Sequence, residues 1–310
     1  MGQDTTSTGP EGYHTPVLVH EVSELIAPVL PGVVVDATFG GGGHSRHLLD
    51  EFGGEVTIIA VDRDPEAGKQ ASRIGLELIV GNFADLDTLV DSAEPVRAVL
   101  FDFGVSSHQV NTPERGFSYH HAGPLDMRMG PDAELTAAEI VNEWDEERLV
   151  RAIRSHGEDP AARRIAAAIV AARPIADTKQ LAAVVASAVP ASRRMAGHPA
   201  RRTFQAIRIA VNAELDGVTA GLEAGIQMLA PGGRIVAISY HSLEDRIVKQ
   251  RFAAGATGCI CPPDLPVCGC GRTSELRILT RRPIRPTPEE IAANKRSRSA
   301  KLRAAEKVAA

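Results

Sequence analysis

The stretch "VVVDATFGGGGHS", Val33 to Ser45, carries an apolar run that ends in an aspartate and is followed by four glycines, Gly40 to Gly43. Glycine lets a ligand approach the backbone, and the N–H groups at a helix start attract negative charge or carbonyl oxygens. A second apolar run ends in "VDRD", which places Asp62 twenty-two residues after Gly40. An acid at that position accepts hydrogen bonds from ribose hydroxyls. A third segment, "GNFAD", offers Phe83 as a ring to stack on a base. A fourth, "FDFGVSSHQ", ends a run in Asp102 and sets Ser106, Ser107, His108 and Gln109 behind it. Taken singly, each has an ordinary reading: a glycine turn, an aspartate cap, a core phenylalanine. In succession they favour an adenosine-type ligand. The dinucleotide pattern G-x-G-x-x-G fails here, because its third glycine falls on Ser45 or Arg46. That weakens the rival reading of a nicotinamide-dependent oxidoreductase.

The elements that must hold these groups follow from short Val- and Ile-rich runs. Strands are expected at Val33–Ala37, Val56–Val61, Leu76–Val80, Val96–Phe101 and Arg234–Ser239. The first four recur about every twenty residues, the rhythm of βαβ units in a parallel sheet. Helical patterns then dominate, such as Ile165 with Ile169, and Leu181, Val184, Val185 and Ala188. Ile207, Val211, Leu215, Val218, Leu222, Ile226 and Leu229 predict one long amphipathic helix stopped by Pro231–Gly233. The expected organisation is a disordered N-terminus (1–13), an α/β domain built from 14–110 and 201–310, and a helical insertion at 111–200.

The 310 residues are 44% hydrophobic and 24% charged, as suits a soluble protein with a sizeable core. No run of eighteen apolar residues and no apolar leader is present, so neither a membrane span nor a secretory signal is expected. The net charge of −5 argues against nucleic acid, but its distribution argues for it. No acid occurs from Thr178 to Ala213, where Lys179, Arg193, Arg194, Arg201, Arg202 and Arg208 lie. From Arg277 to Lys307 there are ten Lys or Arg and three Glu. Such segments are either solvated helix surface or a polyanion-binding face. All four cysteines fall within Cys259–Cys270, "CICPPDLPVCGC". Two tight pairs would suit a tetrahedral zinc clip, although C-x-x-C is the commoner spacing; reduced thiols in a loop are the other reading.

Together, "DATFGGGGHS", "AVDRDP", "DFGVSS", "ERGFSY", "GPLDMRM", "HPARRTFQAIRIAVN", "PGGRIVAISYHSLEDRIVK" and "RSRSAKLR" resemble the MraW/RsmH family over His14 to Arg303. The resemblance implies a class I S-adenosylmethionine-dependent methyltransferase fold, Rossmann-like with a mostly parallel sheet. It also implies an inserted helical domain for RNA recognition. The activity implied is methyl transfer from S-adenosyl-L-methionine to the N4 amine of a cytidine in the decoding centre of 16S rRNA. The family's cofactor contacts fall on Gly42, Gly43, His44, Asp62, Phe83, Asp102 and Gln109. His108, Tyr240 and Lys295 depart from the pattern, which commonly has proline, phenylalanine and proline there. The implied partner is 16S rRNA in the small ribosomal subunit and the implied location cytoplasmic; a homodimer and a structural zinc stay open.

Cytosine N4 is a weak nucleophile, and a site helps by accepting its N–H bonds and holding it near the methyl. Asp102 is the first candidate for that role, with His241 and Ser242 from "YHS" after the fifth strand. His241 reads equally as a helix-entry residue, and Ser242 with Asp245 as a capping box. Methylation at cytosine C5 uses a cysteine nucleophile, and no cysteine lies near the fourth strand, so reaction at nitrogen is favoured. The base must be splayed out of its helix, with Arg193, Arg194, Arg201 and Arg202 placed to hold phosphates and Phe117 or Tyr119 to stack. The alternative is a non-catalytic ribosome-assembly factor that retains the fold; the intact loop, Asp62 and Asp102 argue against it.

Overall fold

A computed structural model of the chain describes residues 16–189, 198–259, 261 and 269–309. Two compact units result, one formed by Met1–Gly104 with Leu215–Ala310 and the other by Val105–Glu214.

The first unit is built on seven strands: β1 (Gly32–Asp36), β2 (Val56–Asp62), β3 (Leu78–Val80), β4 (Val96–Asp102), β5 (Leu229–Ser239), β6 (Leu276–Ile278) and β7 (Lys301–Lys307). Their order is β3-β2-β1-β4-β5-β7-β6. The pairs β1–β2, β2–β3, β1–β4 and β4–β5 are parallel, whereas β7 runs antiparallel to both β5 and β6. This is the α/β, mostly parallel architecture that the family resemblance implies. Strand order reverses between β1 and β4, and ligands of open α/β sheets bind at the carboxyl ends beside such a switch point.

Helix α1 (Val19–Ile26) precedes β1, and α2 (Gly43–Phe52), α3 (Gly68–Arg73) and α4 (Leu86–Leu89) connect the early strands. In the second unit lie α5 (Ser107–Asn111), α6 (Ala137–Glu143), α7 (Glu146–Gly157), α8 (Ala162–Ala171), α9 (Thr178–Ala188) and α10 (Arg201–Asn212). They are followed by α11 (Glu214–Met228), α12 (Ser242–Ala256) and α13 (Pro288–Ala293). Alternate strand residues fill the two faces of the sheet, which is why its strands read as unbroken apolar runs. Val33, Val35, Val99, Phe101 and Ile235 pack with Val218, Leu222 and Ile226 of α11. Val34, Leu100, Val236 and Ile238 pack with Ile26 of α1 and Leu48 of α2.

The second unit has its own core, with Leu149 and Ile153 of α7, Ile165 and Ile169 of α8, Leu181 and Val185 of α9, and Phe204 and Ile207 of α10. Side-chain caps start several of these helices. Thr136 and Glu139 form a capping box on α6, Asp145 caps α7 and Asp177 caps α9. A Cβ at Gly157 would stand 2.7 Å from the Arg202 carbonyl oxygen, so glycine there is what lets α7 end against α10.

Several boundaries differ from expectation. The helical unit spans Val105–Glu214 rather than 111–200, and takes in α10. The long helix breaks at Ala213, which adopts φ 48°. The break follows Asn212, whose buried amide accepts from Met129 N at 2.8 Å and donates to Met127 O at 2.7 Å. The apolar spacing runs straight through this interruption, so periodicity cannot show it. Pro231–Gly233 do not stop a helix; they sit in an irregular start of β5, where the register against β4 shifts. β6 and β7 were not expected at all.

Candidate active site

β1, β2 and β4 each end in an aspartate, Asp36, Asp62 and Asp102. The chain leaving β1 is stitched across all three strand ends. Ala37 N donates to Leu100 O at 2.9 Å, Phe39 N to Val61 O at 3.0 Å, and Asp102 N to Thr38 Oγ1 at 2.6 Å. The glycine loop is thereby tied to Asp62, whose Oδ2 accepts Gly40 N at 2.7 Å while Oδ1 accepts Asp64 N at 2.8 Å. Burial pushes the Asp62 carboxyl up to about 6, against the pull of these two N–H donors. Gly42 has φ 71°, and a Cβ there would lie 2.4 Å from the Phe39 ring, so the loop demands glycine at that position. It then feeds α2, which opens at Gly43.

Asp36 is the residue that sequence reasoning missed. It is 2% exposed and accepts from Ser45 Oγ at 2.6 Å, which fixes the first turn of α2 to the end of β1. Burial raises its carboxyl above the usual range. The signal was present, since "VVVD", "IAVD" and "VLFD" are three apolar runs that end alike.

His44, in the first turn of α2, is 6% exposed, and neither ring nitrogen has a hydrogen-bond partner among the described residues. Its Nε2 lies 3.6 Å from Asp102 Oδ2, while Asp102 Oδ1 is also buried and unpartnered. Tyr240, just after β5, packs against the same carboxylate. Burial raises its phenol well above the ordinary value, with the Asp102 charge and hydrogen bond adding to the effect, so it stays protonated at neutral pH. A buried polar group left unmade costs about 1–3 kcal/mol. Three such atoms beside a bare glycine backbone, at the carboxyl ends of β1 and β4, mark a place built for a polar ligand.

The sequence model described as the MraW methylase family matches residues 11–308. The chain belongs to that family. Among its relatives are three proteins named Ribosomal RNA small subunit methyltransferase H. That of Heliobacterium mobile is 47% identical, covering 96% of this chain and 100% of its own. That of Thermomicrobium roseum is 50% identical, covering 96% and 94%. That of Symbiobacterium thermophilum is 49% identical, covering 96% and 98%.

In this MraW-family methylase the other expected residues are placed as follows. Gly43 and His44 open α2, and Gly42 is its N-cap. Phe83, following β3, is half-buried in an aromatic cluster, 5.8 Å from Phe101 and 5.7 Å from Phe103 between ring centroids. α11 makes room for it with glycine, since a Cβ at Gly221 would stand 2.6 Å from the Phe83 ring. Gln109 lies in the other unit, where its side chain and that of Ser106 form the capping box of α5. His241 is the N-cap of α12: its ring accepts from Glu244 N, while Glu244 Oε2 accepts Tyr240 N at 2.8 Å and His241 N at 3.2 Å. The box begins one residue earlier than expected, which makes Ser242 the first residue of α12 and frees Asp245 for another task.

That task corrects the reading of the basic tail. Asp245 receives Lys301 Nζ at 2.9 Å and Arg303 Nε at 2.7 Å, and the two cations hold its carboxyl below the usual range. Glu306 likewise pairs with Arg277 at 2.6 Å and Arg234 at 3.4 Å. Part of the tail's charge is therefore internal, carried on β7, while Arg281, Arg282, Arg285, Lys295, Arg296 and Arg298 remain exposed.

The acid-free segment divides in the same way. Arg208 is half-buried in a bidentate pair with the buried Glu214, at 2.8 Å through each nitrogen. Arg202 donates to Glu158 O at 2.9 Å, and Arg201 is exposed. Arg193 and Arg194 lie outside the described residues. Phe117 is core, whereas Tyr119 is half-buried and stacks on the exposed His198 ring at 4.4 Å.

Proposed function

We propose that this methylase transfers a methyl group from S-adenosyl-L-methionine to the N4 amine of a cytidine in the decoding centre of 16S rRNA. The observation that carries the reading is a set of buried polar atoms with no hydrogen-bond partner among the described residues, both ring nitrogens of His44 and Oδ1 of the half-buried Asp102, beside the glycine loop of a family methylase. The names of the relatives support a small-subunit rRNA substrate. The residues present fit the donor. Asp62 keeps acceptor capacity for ribose hydroxyls, Gly42 leaves backbone open, and the orphaned His44 and Asp102 atoms await polar partners.

The donor supplies an electrophilic methyl on a sulfonium. The chain's own part is to hold the amine. Asp102 would accept an N4–H, which steadies the nitrogen and offsets the positive charge it gains as the C–N bond forms and the methyl C–S bond breaks. Tyr240, a permanent hydrogen-bond donor, keeps the Asp102 carboxylate oriented. His241 and Ser242 serve the entry of α12 rather than the reaction. The helical unit contributes RNA contacts, with Arg201 as a phosphate ligand and the Tyr119–His198 stack as a base platform.

The direct test is to incubate the purified protein and labelled donor with small subunits from cells lacking it, then map the product by mass. One methyl on N4 of one cytidine is expected; no transfer, or transfer to another atom, would overturn the reading. Donor affinity is expected to weaken as pH falls below about 6, because the raised Asp62 carboxyl then protonates and loses its charged acceptor. The limiting slope is about tenfold per pH unit, and calorimetric titration from pH 7.5 to 5 measures it. Arg201→Ala is expected to lower the slope of log RNA affinity against log salt by about 0.7–0.9, with donor affinity intact. An unchanged slope would remove Arg201 from the RNA face.

A further inference from the structure

The cysteines take no part in this chemistry, and their arrangement asks for its own account. Cys259, Cys261 and Cys270 are not disulfide-linked, and their sulfurs all lie within 4.8 Å of one another. Cys259 Sγ and Cys270 Sγ are 3.7 Å apart. A disulfide would bring them to about 2.05 Å. With zinc–sulfur bonds of about 2.3 Å, the edge of a tetrahedral thiolate site is about 3.8 Å. The observed separation is close to that edge, so the two sulfurs need move little to share one ion.

A second feature points the same way. Cys261 N donates to Cys259 Sγ at 3.4 Å. A backbone N–H aimed at sulfur stabilises the thiolate, the form that binds metal. Gly271, with φ 61°, turns the chain immediately after Cys270. The three residues range from half-buried to exposed, so an ion can enter from solvent.

The position gives the site a purpose. α12 ends at Ala256 and β6 begins at Leu276, and Glu275 N donates to Gly255 O at 2.8 Å across the base of the excursion. A metal clip would shorten the loop that the unfolded chain must close. We propose that Cys259, Cys261 and Cys270 bind one zinc ion that fixes this loop between α12 and β6. Soft thiolates select zinc among divalent ions of the cell, and a tetrahedral ion without redox chemistry suits a structural role. Cys268 lies outside the described residues.

The test is metal analysis of the full chain purified under reducing conditions and reconstituted with zinc. About one zinc per chain is expected, falling to near zero in Cys259→Ser and in Cys270→Ser. Replacement by cobalt should give intense tetrahedral bands with thiolate-to-metal charge transfer, independently of whether a variant folds. Each thiol must lose a proton to bind, so log affinity should fall with a slope approaching three per pH unit in acid. Protein that stays metal-free after reconstitution, with thiols reacting equally fast in the presence and absence of zinc, would overturn the site. So would copper or iron in place of zinc.

Discussion

Asp102→Asn is expected to lower the single-turnover rate of methyl transfer by about a hundredfold or more while donor affinity changes far less. The substitution keeps the size and one acceptor oxygen but removes the charge. A positioned electrostatic group supplies roughly 3 kcal/mol at the transition state, and each tenfold in rate corresponds to about 1.4 kcal/mol. The structure sharpens the expectation in two ways. Asp102 N is already held by Thr38 Oγ1, so the backbone stays in place when the side chain changes. Its Oδ1 has no partner among the described residues, so an acceptor is available for a ligand N–H. The measurement uses small subunits lacking the modification, across a series of donor concentrations. Full recovery of the rate at saturating donor would make Asp102 a donor ligand alone. A defect that persists at saturation places it on the reacting amine.

Asp62→Ala should weaken S-adenosylmethionine binding about ten- to a hundredfold, equivalent to roughly 1.5–3 kcal/mol for lost charged hydrogen bonds. The carboxylate works on two sides. It would accept from the ligand, and it already accepts from Gly40 N and Asp64 N. Alanine therefore also releases the first glycine of the loop. Rate at saturating donor should recover here, which distinguishes this variant from Asp102→Asn. Titration calorimetry reads the affinity directly, and an affinity equal to that of the parent would sink the assignment. Asp62→Asn provides the control, since its amide oxygen can still hold one of the two backbone N–H groups.

The strands that carry the site were legible because burial on both faces forces apolar β-branched runs, and because polar residues begin where the sheet ends. Asp62 and Asp102 stood out for that reason, and Asp36 would have done so had the same rule been applied to β1. His44 came from family resemblance alone; its orphaned nitrogens exist only in three dimensions. The tail was misread because "RSRSAKLRAAEKV" has neither the alternation nor the β-branched residues of a strand. Its strand state comes from pairing with β5 and β6, and its charge is neutralised by Asp245 and Glu306, distant in sequence. The break at Ala213 was invisible for a related reason, because its cause is Asn212 reaching Met127 and Met129 more than eighty residues away.

The placement of β7 has a consequence for how the molecule comes into being. Lys301–Lys307 is the last of the seven described strands in sequence, yet it sits inside the sheet, between β5 and β6. Until it docks, β5 presents an open row of N–H and C=O groups, a template for pairing with any other extended chain. β6, made earlier, has to wait for the same event before it joins the sheet. A nascent or truncated polypeptide without these seven residues would thus display a sticky margin next to an otherwise finished parallel sheet. Late, long-range closure of this kind is slow and exposed to aggregation. Chaperone demand during synthesis should accordingly concentrate in the interval before the final strand is delivered.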